Sequence, residues 1–133
     1  MKIIVCIDKD KGMMFNNRRQ SRDRLVIEDM AKHLNGEPLW ISPYSEALLK
    51  DSGIQYTASE DPLASAGDGY CFLEDRSPAP YQEQITEVIL YHWNRKYPAD
   101  LVFDLNMKDF KRKSTSDFPG SSHDQITKEV WTK

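Results

Sequence analysis

The stretch that decides the fold is Ile3-Ile4-Val5-Cys6-Ile7, a continuous and mostly β-branched apolar run. A run of this length is typical of a strand buried on both faces, as in a parallel sheet covered by helices. Asp8-Lys9-Asp10-Lys11-Gly12 follows directly and predicts a charged turn closed by glycine. The chain therefore begins with a strand from the interior of a covered sheet.

Further short apolar segments predict more strands along the chain. They are Pro38 to Ser42, Ile54 to Thr57, Tyr70 to Leu73, Leu101 to Phe103 and a last, edge-like strand from Ile126 to Trp131. The segment from Asp61 to Gly69 is expected to be a loop.

Helical spacing occurs in two places. Apolar residues recur at intervals of three and four between Arg24 and Leu34, which predicts an amphipathic helix with Asp23 as N-cap and Asn35-Gly36 as its end. A second apolar stripe predicts a helix from Ile85 to Trp93, ended by Tyr97-Pro98. A short helix is also expected from Ser45 to Lys50.

Alternating strands and helices favour an α/β fold of three layers. We expect a mostly parallel sheet with helices on both faces and an antiparallel C-terminal strand. The length of 133 residues and mass of 15.4 kDa predict a single domain spanning residues 1–133.

Composition excludes several classes of protein. The 39% of hydrophobic residues is too high for a wholly disordered chain, and no apolar run reaches the roughly 20 residues of a membrane span. A net charge of −3 gives no overall attraction to nucleic acid or membrane. Two cysteines without an export signal favour reduced thiols and a cytoplasmic location.

The order of these elements resembles dihydrofolate reductase over nearly the whole chain. The matching segments are Ile4 to Gly12, Asn16-Asn17, Gly36 to Ile41, Tyr70 to Leu73, Ala99 to Phe103, Asp109-Phe110, Asp117 to Pro119 and Trp131. The resemblance implies that family's α/β fold, with a substrate and cofactor cleft beside the first strand.

The catalytic motifs of that family are replaced here. Arg19-Gln20-Ser21 stands where the family has Leu-Pro-Trp, and Val26 aligns with its pocket carboxylate. Glu28 and Asp29 are nearby, but their position along the helix turns them away from that pocket. A divergent NADPH-dependent reductase would need one of these two acids to serve as a relocated proton donor.

The cofactor motifs are replaced as well. Glu74-Asp75 aligns with the family's paired glycines, and two carboxylates repel phosphate and lack the backbone freedom of glycine. Ser42-Pro43-Tyr44-Ser45 replaces a Gly-Arg-x-Thr turn and keeps one hydroxyl but no arginine. These replacements predict a protein without reductase activity and without a cofactor, and they disfavour NADPH.

An arginine-rich segment provides the leading functional hypothesis. Arg18, Arg19, Arg22 and Arg24 lie within seven residues, and guanidinium groups recognise phosphate and carboxylate well. We therefore expect a module that binds an anionic small molecule, a nucleotide or an acidic partner protein through a vestigial cleft and this arginine-rich loop. The predicted ligand-binding residues are Arg18, Arg19, Ser21, Arg22, Ser42, Tyr44, Ser45, Glu74 and Asp75.

Asp8 and Asp10 offer an alternative, since two carboxylates after a buried strand can hold Mg²⁺ beside a phosphate. That arrangement would make the protein a divalent-metal-dependent phosphoesterase or nuclease. The simpler interpretation of Asp8 and Asp10 is a solvent-exposed turn of alternating charges without a metal ion. No later motif of such enzymes is present in the sequence.

The basic cluster from Lys108 to Lys113 surrounds Phe110. It could stack a nucleic-acid base, but a guarded sheet edge with an inward Phe110 is favoured. His33, His92 and His123 are scattered and form no ligand-spaced pair.

Overall fold

Ten strands and three α-helices form the protein, whose computed structural model describes residues 1–133. The strands are β1 Lys2–Ile7, β2 Gly12–Phe15, β3 Arg18–Arg19, β4 Leu39–Ile41, β5 Tyr56–Ala58, β6 Tyr70–Leu73, β7 Glu87–His92, β8 Leu101–Val102, β9 Lys111–Phe118 and β10 Ile126–Thr132. The helices are α1 Arg24–Leu34, α2 Glu46–Leu49 and α3 Pro62–Ser65. No helix is both long and apolar enough to cross a membrane.

Seven strands form the main sheet in the order β5-β4-β6-β1-β7-β10-β9. The neighbours β6 and β7 both run parallel to β1, and β4 and β5 continue the parallel part. At the other end, β10 pairs antiparallel with both β7 and β9. The predicted parallel sheet with an antiparallel C-terminal strand is confirmed.

Both faces of this sheet are covered. One face packs against α1 and α2, through Val26, Met30, Leu34 and Leu49. The other face lies under α3 and the segment that carries Phe103, Leu105 and Phe110. Alternate residues of β1 enter the two cores, since Ile4 belongs to the first and its neighbours Ile3 and Val5 to the second. The predicted three layers are therefore present.

Helix α1 has the ends that the sequence predicts. The Asp23 carboxylate accepts a hydrogen bond from the backbone N–H of Leu25 at 2.9 Å and caps the first turn. Asn35 ends the helix with a left-handed φ of 49°, a conformation that asparagine tolerates.

The predicted helix from Ile85 to Trp93 is wrong, because Glu87–His92 forms strand β7 between β1 and β10. Val88 and Leu90 enter one core, and Ile89 and Tyr91 enter the other. A run of apolar residues buried on both faces satisfies a helical stripe as well as a strand, so spacing alone misidentified it.

Three other segments differ from expectation. Asn16 and Asn17, with φ of 52° and 61°, form the turn of a β2–β3 hairpin that belongs to a second sheet with β8. Helix α3 interrupts the loop predicted for residues 61–69. Strand β10 is not an edge strand, because it pairs with β7 on one side and with β9 on the other.

Strand β9 is one of the two edge strands of the main sheet, and β5 is the other. The first seven residues of β9 are exposed and begin with Lys111-Arg112-Lys113, whereas Phe110 just before it is buried. Charged side chains on an edge hinder pairing with a further strand. The guarded-edge interpretation of this basic cluster is confirmed.

Strand β1 should be the most sensitive part of the sheet. We predict that Ile4→Ala, at a side chain with no solvent exposure, lowers the free energy of unfolding by about 2 to 5 kcal/mol. Urea unfolding followed by circular dichroism measures this change. Thr115→Ala on the exposed edge strand is the control and should remain close to wild type; equal stability of both variants would contradict the packing described.

Candidate functional site

A buried carboxylate joins the start of α1 to the turn before β10. Besides capping α1, Asp23 accepts hydrogen bonds from the backbone N–H groups of Ser121 and Ser122, at 2.9 and 2.8 Å. The Ser121 hydroxyl donates to it at 3.1 Å, and Nδ1 of His123 lies 2.9 Å from its Oδ2. Segments about one hundred residues apart are thereby held together.

The charge state of Asp23 follows from these contacts. Burial by itself would raise its pKa, but the hydrogen bonds from His123, Ser121 and Ser122 outweigh burial and hold the pKa well below the usual range. Asp23 is therefore a carboxylate at neutral pH and acts only as an acceptor.

Contacts with several side chains fix the imidazole ring of His123. Its ring stacks on Trp93 with centroids 4.7 Å apart, and its Nε2 lies 3.0 Å from the Ser21 hydroxyl and 3.2 Å from the Tyr97 hydroxyl. Both His123 and Asp23 are almost completely buried, whereas Ser21 is partly exposed.

A second buried carboxylate lies at the carboxyl end of β6. Glu74 receives two hydrogen bonds from the Arg19 guanidinium, at 2.8 and 3.1 Å, and one from the Ser45 hydroxyl at 2.8 Å. The Arg19 guanidinium also stacks over the ring of Tyr44, whose hydroxyl accepts from the Arg19 backbone N–H at 2.8 Å. Hydrogen bonding to Glu74 raises the pKa of Arg19, so the guanidinium keeps its charge.

This network fills the place where open α/β sheets commonly bind ligands, at the carboxyl ends of parallel strands. Two small cavities lie there, of about 10 and 20 Å³. Glu74 and Ser21 contribute to the walls of both. Each is about large enough for one water molecule.

Asp8 and Asp10 do not converge. The buried Asp8 carboxylate accepts from the backbone N–H groups of Asp10, Gly12 and Tyr97 and from the Gln20 side chain, at 2.7 to 3.1 Å. Burial raises its pKa, but these hydrogen bonds outweigh it and the pKa is lowered. The exposed Asp10 faces Lys96 at 3.5 Å. No group of three or more His, Cys, Asp or Glu side chains is placed to hold a metal ion. Asp8 therefore stabilises the turn that follows β1.

Glu28 and Asp29 both lie away from the cavities at the end of β6. Glu28 is exposed and pairs with Arg24 at 3.3 Å. Asp29 accepts from the buried hydroxyl of Tyr91 at 2.6 Å and pairs with Lys128 at 2.9 Å. Neither acid is placed to protonate a molecule in that region.

The remaining predicted ligand-binding residues are dispersed. Arg18 is exposed on the β2–β3 hairpin, and Asp75 pairs with Arg76 at 3.2 Å. The Ser42 hydroxyl is buried and has no hydrogen-bond partner. The structure thus brings Arg19, Tyr44, Ser45 and Glu74 into contact, and Ser21 and Arg22 line a small cavity next to them.

A groove on the outer side of α1 is the largest concave surface near these residues. It has a volume of about 500 Å³ between α1, α2 and the turn at Ser121-Ser122. Its polar lining consists of Arg22, Arg24, Glu28, Asp51, Ser52, Ser121 and Ser122. Arg24 is paired with Glu28, but the exposed Arg22 guanidinium forms no ion pair within the chain.

Comparison with known proteins identifies the fold alone. No protein-family model matches the sequence, and a search of curated proteins gives no match. A solved structure of dihydrofolate reductase from Enterococcus faecalis, complexed with NADP(H) and RAB-propyl, matches with a TM-score of 0.71. The match covers 98% of this chain and 94% of that chain at 8% sequence identity. The protein therefore has a dihydrofolate reductase-like fold, as the order of its motifs predicted.

The residues present do not fit the nicotinamide cofactor that this fold family implies. Glu74 fills the end of β6 with a buried, bonded carboxylate, and neither it nor Asp75 has the positive φ that a glycine turn supplies. The adjoining cavities are far too small for a dinucleotide. No reaction step through that cofactor follows from this structure.

Sequence reasoning missed the contacts of Asp23 and His123. Asp23 was recognised only as a helix cap and His123 only as an isolated histidine. The one local signal was at Ser21, two residues before Asp23. A serine stands there in place of the aromatic residue of the family's Leu-Pro-Trp motif. Nothing local indicated a partner one hundred residues away.

The Arg19–Glu74 pair gives a prediction about stability. We expect Arg19→Leu to lower the free energy of unfolding by about 3 kcal/mol, because Glu74 then stays buried without its counter-charge. Arg18→Leu, on the same hairpin but exposed, is the matched control and should cost little. Urea unfolding of the two variants makes the comparison, and equal losses would show that the pair is unimportant.

Asp23 gives a prediction about pH. Its pKa is lower in the folded than in the unfolded chain, so the unfolded chain takes up a proton first as the pH falls. Its stabilising contribution is complete above pH of about 4 and decreases as the pH falls towards the lowered pKa. Asp23→Asn should be less stable at neutral pH and lose less stability on acidification. Urea unfolding from pH 7 downwards tests this, and parallel curves for the two proteins would contradict it.

Proposed function

We propose that this protein is a non-reductase binding module of dihydrofolate reductase-like fold that binds anionic small molecules in the groove beside α1. The observation that carries the proposal is the unpaired Arg22 guanidinium on the wall of that 500 Å³ groove. Residues 1–133 act as one domain in this proposal. The two free cysteines support a reducing, cytoplasmic location.

The groove provides the chemistry that phosphate groups require. Arg22 offers a forked set of N–H donors, and the hydroxyls of Ser52 and Ser122 add neutral donors. Arg24 can also contact the ligand if its exposed ion pair with Glu28 breaks. Breaking it costs little, because such surface ion pairs contribute little to stability. Glu28 and Asp51 line the same groove, so the anionic group of the ligand is expected to contact Arg22 and not these two acids.

The Arg19–Glu74 network that fills the carboxyl end of β6 supports a function outside the reductase class. Arg19 is occupied by Glu74, so the guanidinium closest to the end of the sheet is not free for a ligand. The free charge of the arginine-rich segment lies on Arg22, which faces the groove, and on Arg18, which lies on the hairpin. The proposed ligand is a nucleotide or another small phosphate compound; nucleic acid and an acidic protein segment are weaker alternatives.

Two other functions remain as alternatives with less support. A metal-dependent phosphoesterase using Asp8 and Asp10 would require Asp8 to give up its four hydrogen bonds. A divergent reductase would require a proton donor other than Glu28 or Asp29, which lie away from the end of β6.

Ligand binding is tested by thermal unfolding with inorganic pyrophosphate and with ATP. At 100 times the dissociation constant a ligand stabilises the folded state by about 2.7 kcal/mol, and we expect a rise in Tm of several degrees. Arg22→Ala should abolish the rise, whereas Lys113→Ala on the opposite sheet edge should preserve it. An unchanged Tm in wild type, or an equal rise in Arg22→Ala, would contradict the proposal.

A further inference from the structure

Ser21, His123 and Asp23 are connected in the order of a serine hydrolase triad. The Ser21 hydroxyl lies 3.0 Å from Nε2 of His123, and Nδ1 of the same ring lies 2.9 Å from Asp23. We propose that this cluster is an esterase-type site in which Ser21 is the nucleophile, His123 the general base and Asp23 the group that orients it. Such sites are recognised by geometry rather than by fold or sequence order.

The contacts of Asp23 determine the tautomer of His123. Because Asp23 is a carboxylate and only accepts, Nδ1 carries the ring proton and Nε2 presents its lone pair to Ser21. Stacking on Trp93 fixes the plane of the ring. The Tyr97 hydroxyl, 3.2 Å from Nε2, is a second donor that must share this lone pair.

Ser21 lies in an irregular segment between β3 and α1, where its backbone is not used by the sheet or helix. The backbone N–H groups of Ser21 and Arg22 make no hydrogen bond within the chain. Free N–H groups at and next to a nucleophile are donors suited to a developing oxyanion. Ser21 is also partly exposed, unlike the other two members of the cluster.

The proposed anion groove lies directly against this cluster. Arg22, Ile27 and Leu48 line both the groove and the 20 Å³ cavity whose wall includes Ser21. Ser21 itself lines only the smaller cavity, so a substrate held by Arg22 reaches the serine through the wall that these three side chains share. This gives the substrate class, a small carboxylic ester that carries an anionic group, and that specificity rests on the proposed anion binding.

The reaction balances with water as the only co-reactant. Ser21 Oγ forms a bond to the ester carbonyl carbon while its proton passes to Nε2 of His123. The bond from that carbon to the alkoxy oxygen breaks, and the alcohol leaves with the proton. Water then attacks the acyl-serine in the same way, releasing the carboxylic acid and restoring the hydroxyl.

A fluorophosphonate probe tests the nucleophile directly. We expect one adduct per protein, which peptide mass spectrometry locates on Ser21. Ser21→Ala should remove the adduct, and Ser114→Ala, an exposed serine on β9, should keep it. In His123→Gln the labelling rate should fall by about 10,000-fold, the scale of loss when a triad is disabled. Because that variant can also fail to fold, wild-type protein in denaturing urea provides the second comparison and should lose selective labelling.

Ester hydrolysis tests the substrate class. Mono-p-nitrophenyl succinate should be preferred to p-nitrophenyl acetate by about 10-fold, and Arg22→Ala should remove that preference. Unlabelled Ser21, or labelling no faster than that of Ser114, overturns the esterase proposal even where pyrophosphate binds. Selective labelling of Ser21 without pyrophosphate binding or a preference for the anionic ester retains the triad and overturns the anion groove.

Discussion

The buried carboxylate of Asp23 is the contact on which most of this molecule depends. Five donors converge on it, from the first turn of α1 and from the turn at residues 121–123. It begins the helix that covers one face of the sheet, and it fixes His123 against Trp93. The groove wall at Ser121-Ser122 and the orientation of Ser21 towards His123 both follow from this one anchor.

The second constraint is electrostatic and lies at the carboxyl end of the parallel strands. A carboxylate at Glu74, buried at the end of a parallel strand, requires a counter-charge, and Arg19 supplies it from the neighbouring hairpin. The same ion pair fills the region where a sheet of this topology commonly holds its ligand. The groove of about 500 Å³ lies elsewhere, between α1, α2 and the turn at Ser121-Ser122.

Local sequence signals predicted much of the sheet and failed where the signal was ambiguous or long-range. Short continuous apolar runs identified β1, β4 and β6, and capping residues placed both ends of α1 correctly. Residues 85–93 were misassigned because an apolar run buried on both faces also satisfies helical spacing. Polar strand β9 carried no apolar pattern, since an edge strand with exposed side chains needs none.

The candidate site was only partly predictable for the same reason. Arg19, Tyr44, Ser45 and Glu74 were all expected to bind ligand, but in the structure they bind one another. These contacts join residues that are far apart in the sequence, and neither composition nor residue spacing indicates which distant residues meet in the folded chain. His123 acquires its surroundings from residues about thirty and one hundred positions away, and no local motif records them.

The most direct measurement is a two-dimensional ¹⁵N–¹H NMR titration of the protein with NADPH. The amide signals of the Arg19–Glu74 region report a dinucleotide that enters at the carboxyl ends of β1 and β6. We expect the amides of Met13, Arg19, Glu74 and Asp75 to stay unshifted, with changes confined to residues around the α1 groove. Saturable shifts at those four residues would show an open cofactor cleft and contradict the filled end of β6.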